Sequence, residues 1–340
     1  MSLFTVFPAI SQAAPAFNKI SPALFEQMVH AGESIDVLIK TVSAEYSDVV
    51  RQINDLGGRV GSLFKYVNGL SASLPATGII ELSGNSLVEK MYYDAPRPLA
   101  ISPGESLTRD VLSNADAEGE DFETIAFTDD TMESMPDNYW NTIYTGAQST
   151  WADTNMGSGS LVVVIDTGIW LNHFMFAPKV GLGEIAGGID LSPEASNPTY
   201  GGWNMPSNHF HGSHVAGTVA SRGGAVYSNP ASRTYKYYLA GLEAYSGIPL
   251  PPGPTPGSKI LWLLGMAPAA SLYVVKVFTH TGAGVPESYV IGGMEHALDL
   301  KLNQGYDVDV ISMSIGGGSL FDGRDFEDSL VDLITASGIT

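Results

Sequence analysis

The 340-residue sequence contains no cysteine. Disulfides and thiolate metal sites are thereby excluded, while the compartment stays open, because many secreted microbial proteins lack disulfides. Cationic residues are scarce, with 16 Lys and Arg against 36 Asp and Glu and a formal net charge of −20. Phosphate backbones are held by clustered Lys and Arg, so a nucleic-acid-binding role is excluded. No apolar run reaches the ~18 residues that a membrane-spanning helix needs. Neither an N-x-S/T sequon nor an H-E-x-x-H zinc motif occurs. What is present is 44% hydrophobic and only 15% charged residues, the composition of a packed globular protein of roughly two domains. An acidic surface of this kind keeps an extracellular protein soluble.

Four zones follow along the chain. Residues 1–33 read as an N-terminal arm or a signal-peptide remnant: Met1–Ala16 is apolar and ends in Ala13-Ala14-Pro15-Ala16 like the tail of a signal peptide, without a basic n-region. In 34–95, the β-branched Ile35–Val42 predicts a strand, and Val49, Val50, Ile53 and Leu56 have helical spacing. Gly57-Gly58 stops that helix. A hairpin over Val60–Leu74, a short helix near Ile79–Leu82 and a strand at Val88–Tyr93 complete a β-α-β-β-α-β order, that of a small α+β ferredoxin-like unit. Residues 96–138 carry eleven carboxylates from Glu105 to Asp137 and, after Arg97, only Arg109 as a cation. This reads as a solvated, flexible linker open to nicking, the alternative being a metal-binding tract.

Residues 139–340 read as α/β. Leu161–Ile165 is a continuous apolar run, as in a parallel strand buried on both faces, and Ser271–Phe278 and Val308–Ile315 are two more. A helix over Glu287–Leu302 lies between them, which predicts parallel crossovers. The Gly-, Pro- and Tyr-rich stretch 223–259 reads as a surface insertion. Its Tyr227, Tyr235, Tyr237, Tyr238 and Tyr245 offer a contact surface if it is more than a decorated loop.

Ligands of open parallel sheets bind beyond the carboxyl ends of the strands. The first buried strand ends in Asp166-Thr167-Gly168, which puts a carboxylate at that edge, where it either acts or caps a turn. His211 opens a Gly/Ala/Val helix, Gly212 to Ala220, whose small residues allow close packing. His211 and His214 lie three apart, the spacing of a zinc pair, but without the Glu of the usual motif.

Taken together, V-V-V-I-D-T-G-I at Val162–Ile169 and H-G-S-H-V-A-G-T-V-A at His211–Ala220 resemble the aspartate and histidine motifs of the subtilisin-like serine proteases. Ser213 stands where threonine is usual. G-M-A-P-A-A-S-L-Y-V-V-K-V-F at Gly265–Phe278 and I-S-M-S-I-G-G-G at Ile311–Gly318 are similar to two later segments, in family order. The resemblance implies a parallel-sheet α/β catalytic domain over 139–340, incomplete at its C-terminal side. It implies peptide-bond hydrolysis in which Asp166 orients His211, the general base toward a serine. Gly282, Ala283, Gly284, Ser314, Ile315 and Gly316 would offer backbone edges to an extended polypeptide substrate. Residues 34–95 resemble the family's propeptides, which implies a secreted zymogen with its own propeptide in the cleft and residues near Tyr92–Asp94 entering like a substrate.

The sequence also departs from the family. No G-T-S-M-A segment occurs, so the nucleophilic serine is not in these residues, and nothing nominates Ser312, Ser314 or Ser319 for that role. The expectation is a missing C-terminal half, on the same gene product or a separate chain, an unpaired sheet edge, and inactivity of this piece alone. The family's calcium-binding Asp is replaced within His173-Phe174-Met175-Phe176, and a thioether does not serve a hard cation. That site is expected to be absent, and calcium elsewhere stays open. The alternative is a non-catalytic binding or assembly protein on a subtilase half-fold; an enzyme with another nucleophile is a remote third.

Overall fold

The computed structural model describes residues 14–30, 32, 34–100, 122–126, 142, 145–176, 183–231, 234–247, 249–316 and 325–340. In chain order the principal elements begin with α1 (Pro22–His30), β1 (Ile35–Thr41), α2 (Ser47–Asp55), β2 (Arg59–Leu63), β3 (Gly69–Leu74), α3 (Ala76–Ser83) and β4 (Val88–Tyr93). There follow β5 (Phe122–Ala126), α4 (Ala147–Thr154), β6 (Leu161–Asp166), β7 (Ile185–Asp190), α5 (Phe210–Ala220), β8 (Arg222–Tyr227) and α6 (Ala240–Ser246). The last are β9 (Lys259–Leu264), β10 (Ser271–Lys276), α7 (Glu287–Asn303), β11 (Val308–Ser312) and α8 (Phe326–Ala336). Two compact units result. Among the described residues, one holds those up to 97 with 286–295 and 325–333, and the other holds 98–285, 296–316 and 334–340.

The first unit carries an antiparallel sheet in the order β2-β3-β1-β4. Val37 and Ile39 of β1, Leu70 and Leu74 of β3, and Val88 and Met91 of β4 are buried with Val49 and Ile53 of α2 and Ile79 and Leu82 of α3. Each such side chain contributes about 1.5–3 kcal/mol on burial, enough together to hold two helices on one sheet. Val49 and Ile53 are one helical turn apart, which is why α2 buries that face. The start of α7 also belongs here. Glu295 accepts hydrogen bonds from the backbone N–H groups of Lys65, Tyr66 and Val67 at 2.9, 2.6 and 3.2 Å, fixing the loop between β2 and β3.

In the second unit, β11-β6-β10-β7 form a parallel sheet. β6 is buried along its whole length, as its continuous apolar run requires of a strand with neighbours on both sides. Register sets Lys276 of β10 opposite Asp166 of β6 and Asp190 of β7, so three ionisable residues end adjacent strands in one row. At the outer edge of β11, Thr340 exchanges two backbone hydrogen bonds with Asp309 and Ile311, each 2.9 Å.

Two sequence expectations need correction. The segment 96–138 is not linker throughout: Phe122–Ala126 is a strand paired antiparallel to β8, while most of the rest lies outside the described residues. The stretch 223–259 is also more than surface decoration. β8 is the middle strand of a sheet ordered β9-β8-β5 and is buried at all six positions. Val226, Ile260, Trp262 and Leu264 pack with Trp151, Met156 and Ala269 in a common core. Gly223 and Gly224 suggest a loop, but a central strand pairs on both edges whatever its side chains. Among the described residues no helix is long and apolar enough to cross a membrane.

Candidate active site

Asp166 is the last residue of β6, and His211 is the second residue of α5. Both are buried. The Nδ1 of His211 lies 2.9 Å from Asp166 Oδ1 and 3.0 Å from Oδ2. A carboxylate only accepts, so this contact keeps the proton on Nδ1 and makes Nε2 the basic nitrogen. Asp166 Oδ1 also accepts the N–H of Thr167 at 2.7 Å, which holds the carboxylate in place.

Strand and helix are tied at this point. The Thr167 hydroxyl donates to the carbonyl of His209 at 2.8 Å and accepts the N–H of Gly212 at 2.9 Å. His209 caps α5, its Nδ1 accepting the N–H of His211 at 3.3 Å. A Cβ on Gly212 would sit 2.1 Å from the carbonyl oxygen of Gly168 and 3.1 Å from Asp166 Oδ1. Glycine is therefore required for α5 to come close enough to present His211 to Asp166.

Of the six expected substrate-edge residues, Gly282 lies in a turn, with φ +72° and its N–H bonded to the carbonyl of Thr279 at 3.0 Å. A Cβ there would meet the His209 ring at 2.8 Å, so this loop and the cap of α5 are in contact. Ala283 and Gly284 continue the same loop. Ser314, Ile315 and Gly316 extend β11 beyond its last paired residue and carry a strand-like partner. Ala100 N–H donates to the carbonyl of Ser314 at 3.0 Å, Gly316 N–H donates to the carbonyl of Pro98 at 2.9 Å, and Leu99 pairs antiparallel with Ile315.

The expectation for Tyr92–Asp94 is thus corrected. Tyr92 and Tyr93 are committed to β4 opposite Leu38 and Val37 of β1, and Asp94 N–H bonds the carbonyl of Asp36. The segment lying on the Ser314–Gly316 edge is Pro98–Ala100. Sequence reading missed Thr167 and His209 as supports, although Thr167 lies inside the aspartate motif. His214 is exposed whereas His211 is buried, so the pair does not face a common site. The side chain of Met175 lies against Gly217, its methyl carbon 3.4 Å and its sulfur 3.6 Å from the place a Cβ would take, as an apolar packing group. Ser319 falls outside the described residues.

The subtilase family model matches residues 157–338. Subtilisin E of Bacillus subtilis (strain 168) is 26% identical over 297 residues, which are 87% of this chain and 53% of that protein. Subtilisin DY of Bacillus licheniformis is 31% identical over 183 residues, 54% of this chain and 45% of that protein. The chain therefore spans about half the length of the curated relatives it matches. Among solved structures, fervidolysin from Fervidobacterium pennivorans, a keratinolytic enzyme related to subtilisin, shares the fold with a TM-score of 0.51 at 15% identity, covering 90% of this chain and 39% of that one. With its parallel sheet and an aspartate–histidine pair inside the matched segment, this chain belongs to the subtilase family.

Proposed function

We propose that the chain is part of a secreted subtilisin-like serine endopeptidase precursor, in which Asp166 and His211 activate a serine supplied from outside these 340 residues. The observation that carries this reading is the buried contact of His211 Nδ1 with both Asp166 oxygens at 2.9 and 3.0 Å. His211 Nε2 then takes the serine proton during attack on the peptide carbonyl and returns it to the leaving amine. Asp166 stabilises the imidazolium formed between these steps. Backbone groups of Gly282–Gly284 and Ser314–Gly316 hold the substrate as an added strand, and a polypeptide is the substrate class.

Residues 34–95 serve as a propeptide, and Pro98–Ala100 supports that assignment. β11 runs parallel to β6 with Ser312 opposite Val164, so two residues further on Ser314 reaches the level of Asp166. The segment from Pro98 to Ala100 runs the other way along this edge, so its Ala100 end is the one nearest the dyad. The bond cut in maturation is therefore the one on the carbonyl side of Ala100. Expression of the full reading frame and intact-mass analysis should give a fragment ending at Ala100, and His211→Ala should leave the precursor uncut. Cleavage at the same place in His211→Ala would contradict self-processing.

A second reading, a binding protein on the same half-fold, has no comparable geometric support. It would not require His211 to contact both Asp166 oxygens.

A further inference from the structure

Outside the dyad, a polar cluster among the described residues of the second unit surrounds the loop that carries Gly282–Gly284. Glu194 lies in the segment between β7 and α5. Its Oε2 accepts the backbone N–H of His280 at 2.8 Å, and its Oε1 lies 2.8 Å from His280 Nδ1. The Tyr200 ring stacks on the His280 imidazole with centroids 3.8 Å apart and planes 5° from parallel. Tyr200 is itself tethered, its carbonyl accepting from Lys276 Nζ at 2.7 Å, and Lys276 pairs with Asp190 at 3.1 Å. Lys276 is fully buried, so its charge needs both partners. The row of ionisable residues that ends β6, β10 and β7 thus anchors the cluster to the same sheet edge that presents Asp166.

We infer that Glu194 and His280 are positioning residues for substrate, clamping the Thr279–Gly284 turn so that the Gly282–Gly284 edge stands at a fixed distance from His211; this rests on the protease reading. The turn is held at two points. At one, Glu194 binds both the backbone and the side chain of a single residue, a bidentate grip that fixes orientation as well as position. At the other, the His209 ring fills the space a Cβ on Gly282 would need, and His209 caps the helix bearing His211. A peptide adding itself to this edge would gain affinity from backbone hydrogen bonds, which demand a prepositioned strand. Neither Glu194 nor His280 would touch the reacting atoms, so their loss should act on binding.

The test is steady-state kinetics on an extended peptide substrate with the protein expressed from its full reading frame. Glu194→Ala is expected to raise KM about tenfold with kcat within about twofold, the pattern of lost ground-state binding. Glu194→Gln keeps an acceptor oxygen for the His280 amide and should recover most of that loss. Tyr200→Ala, at an exposed position, should raise KM about threefold by removing the stack. Glu243→Ala is the control. There a carboxylate of the same kind accepts the Leu250 N–H at 2.7 Å and pairs with Lys259 in the 223–259 stretch, and KM should not move. Unchanged KM in both Glu194→Ala and Tyr200→Ala, or a loss confined to kcat, would overturn the clamp while leaving the protease reading intact. Absence of peptidase activity in the unsubstituted protein would overturn both.

Discussion

Asp166→Asn should lower kcat on peptide substrates by about 10⁴-fold with little change in KM, the loss typical when the orienting carboxylate of a serine-protease triad is removed. An amide in place of Asp166 offers His211 Nδ1 a donor as well as an acceptor. The imidazole can then adopt the tautomer with its proton on Nε2, where it cannot act as base. Because both side chains are buried, water does not substitute for the lost partner. His211→Ala should do at least as much damage. The two losses should not add in the double variant, since the residues act as one unit. Kinetics on the full-reading-frame protein check this, and near-normal kcat in either single variant would remove the dyad from the mechanism.

The second large effect concerns pH and the first unit. Arg97, Glu287, Glu327, Asp325 and Asp94 gather where α7 and α8 begin. Arg97 Nη2 bonds Glu327 Oε2 at 2.6 Å and lies 3.3 Å from Glu287 Oε2, without a hydrogen bond to the latter. Burial, then the charge of Glu327, pushes the Glu287 carboxyl up from its ordinary value of 4.5 to about 8, against the opposing pull of Arg97. Burial likewise raises Glu327, Asp325 and Asp94. One guanidinium does not compensate this many buried carboxylates, so desolvation wins.

The sign follows from proton binding. The folded protein keeps a proton on Glu287 that the unfolded chain releases above about 4.5, so the stabilisation is complete below that pH and is lost as pH rises to about 8. By linkage the Glu287 share is at most about 5 kcal/mol. Denaturant midpoints of this chain should therefore fall steadily from pH 5 to pH 9. Glu287→Gln, which mimics the protonated acid, should flatten most of that decline. A midpoint independent of pH in the unsubstituted chain would contradict the account.

Much of the fold could be read from residue pattern, and the exceptions have physical causes. β6 announces itself because a parallel strand covered on both faces must be apolar throughout. α2 does so because Val49 and Ile53 repeat at one turn. The Asp166–His211 contact was legible because each residue sits in a short motif that imposes its own geometry, Asp166 at a strand end and His211 beside glycines that let its helix approach. The seat of Pro98–Ala100 was not, since it depends on pairing with Ser314–Gly316, more than 200 residues away, and nothing local marks such a partner. Glu194 and His280 escaped for a related reason: both lie in irregular segments without periodicity, and only folding brings them together. β5 and β8 were hidden by composition, an acidic stretch and a glycine pair that strand pairing overrides.

The central claim, that Asp166 and His211 serve a nucleophilic serine, is tested most directly by labelling with a serine-directed fluorophosphonate. Source material, or protein expressed from the full reading frame, would be labelled and every modified or co-purifying chain identified by mass. The account predicts label on a serine outside residues 1–340, on a longer chain that includes them or on a partner bound to them, and no label when His211 is replaced by alanine. Absence of label on anything that contains or accompanies this sequence would contradict it and leave the dyad as a relic in a binding protein.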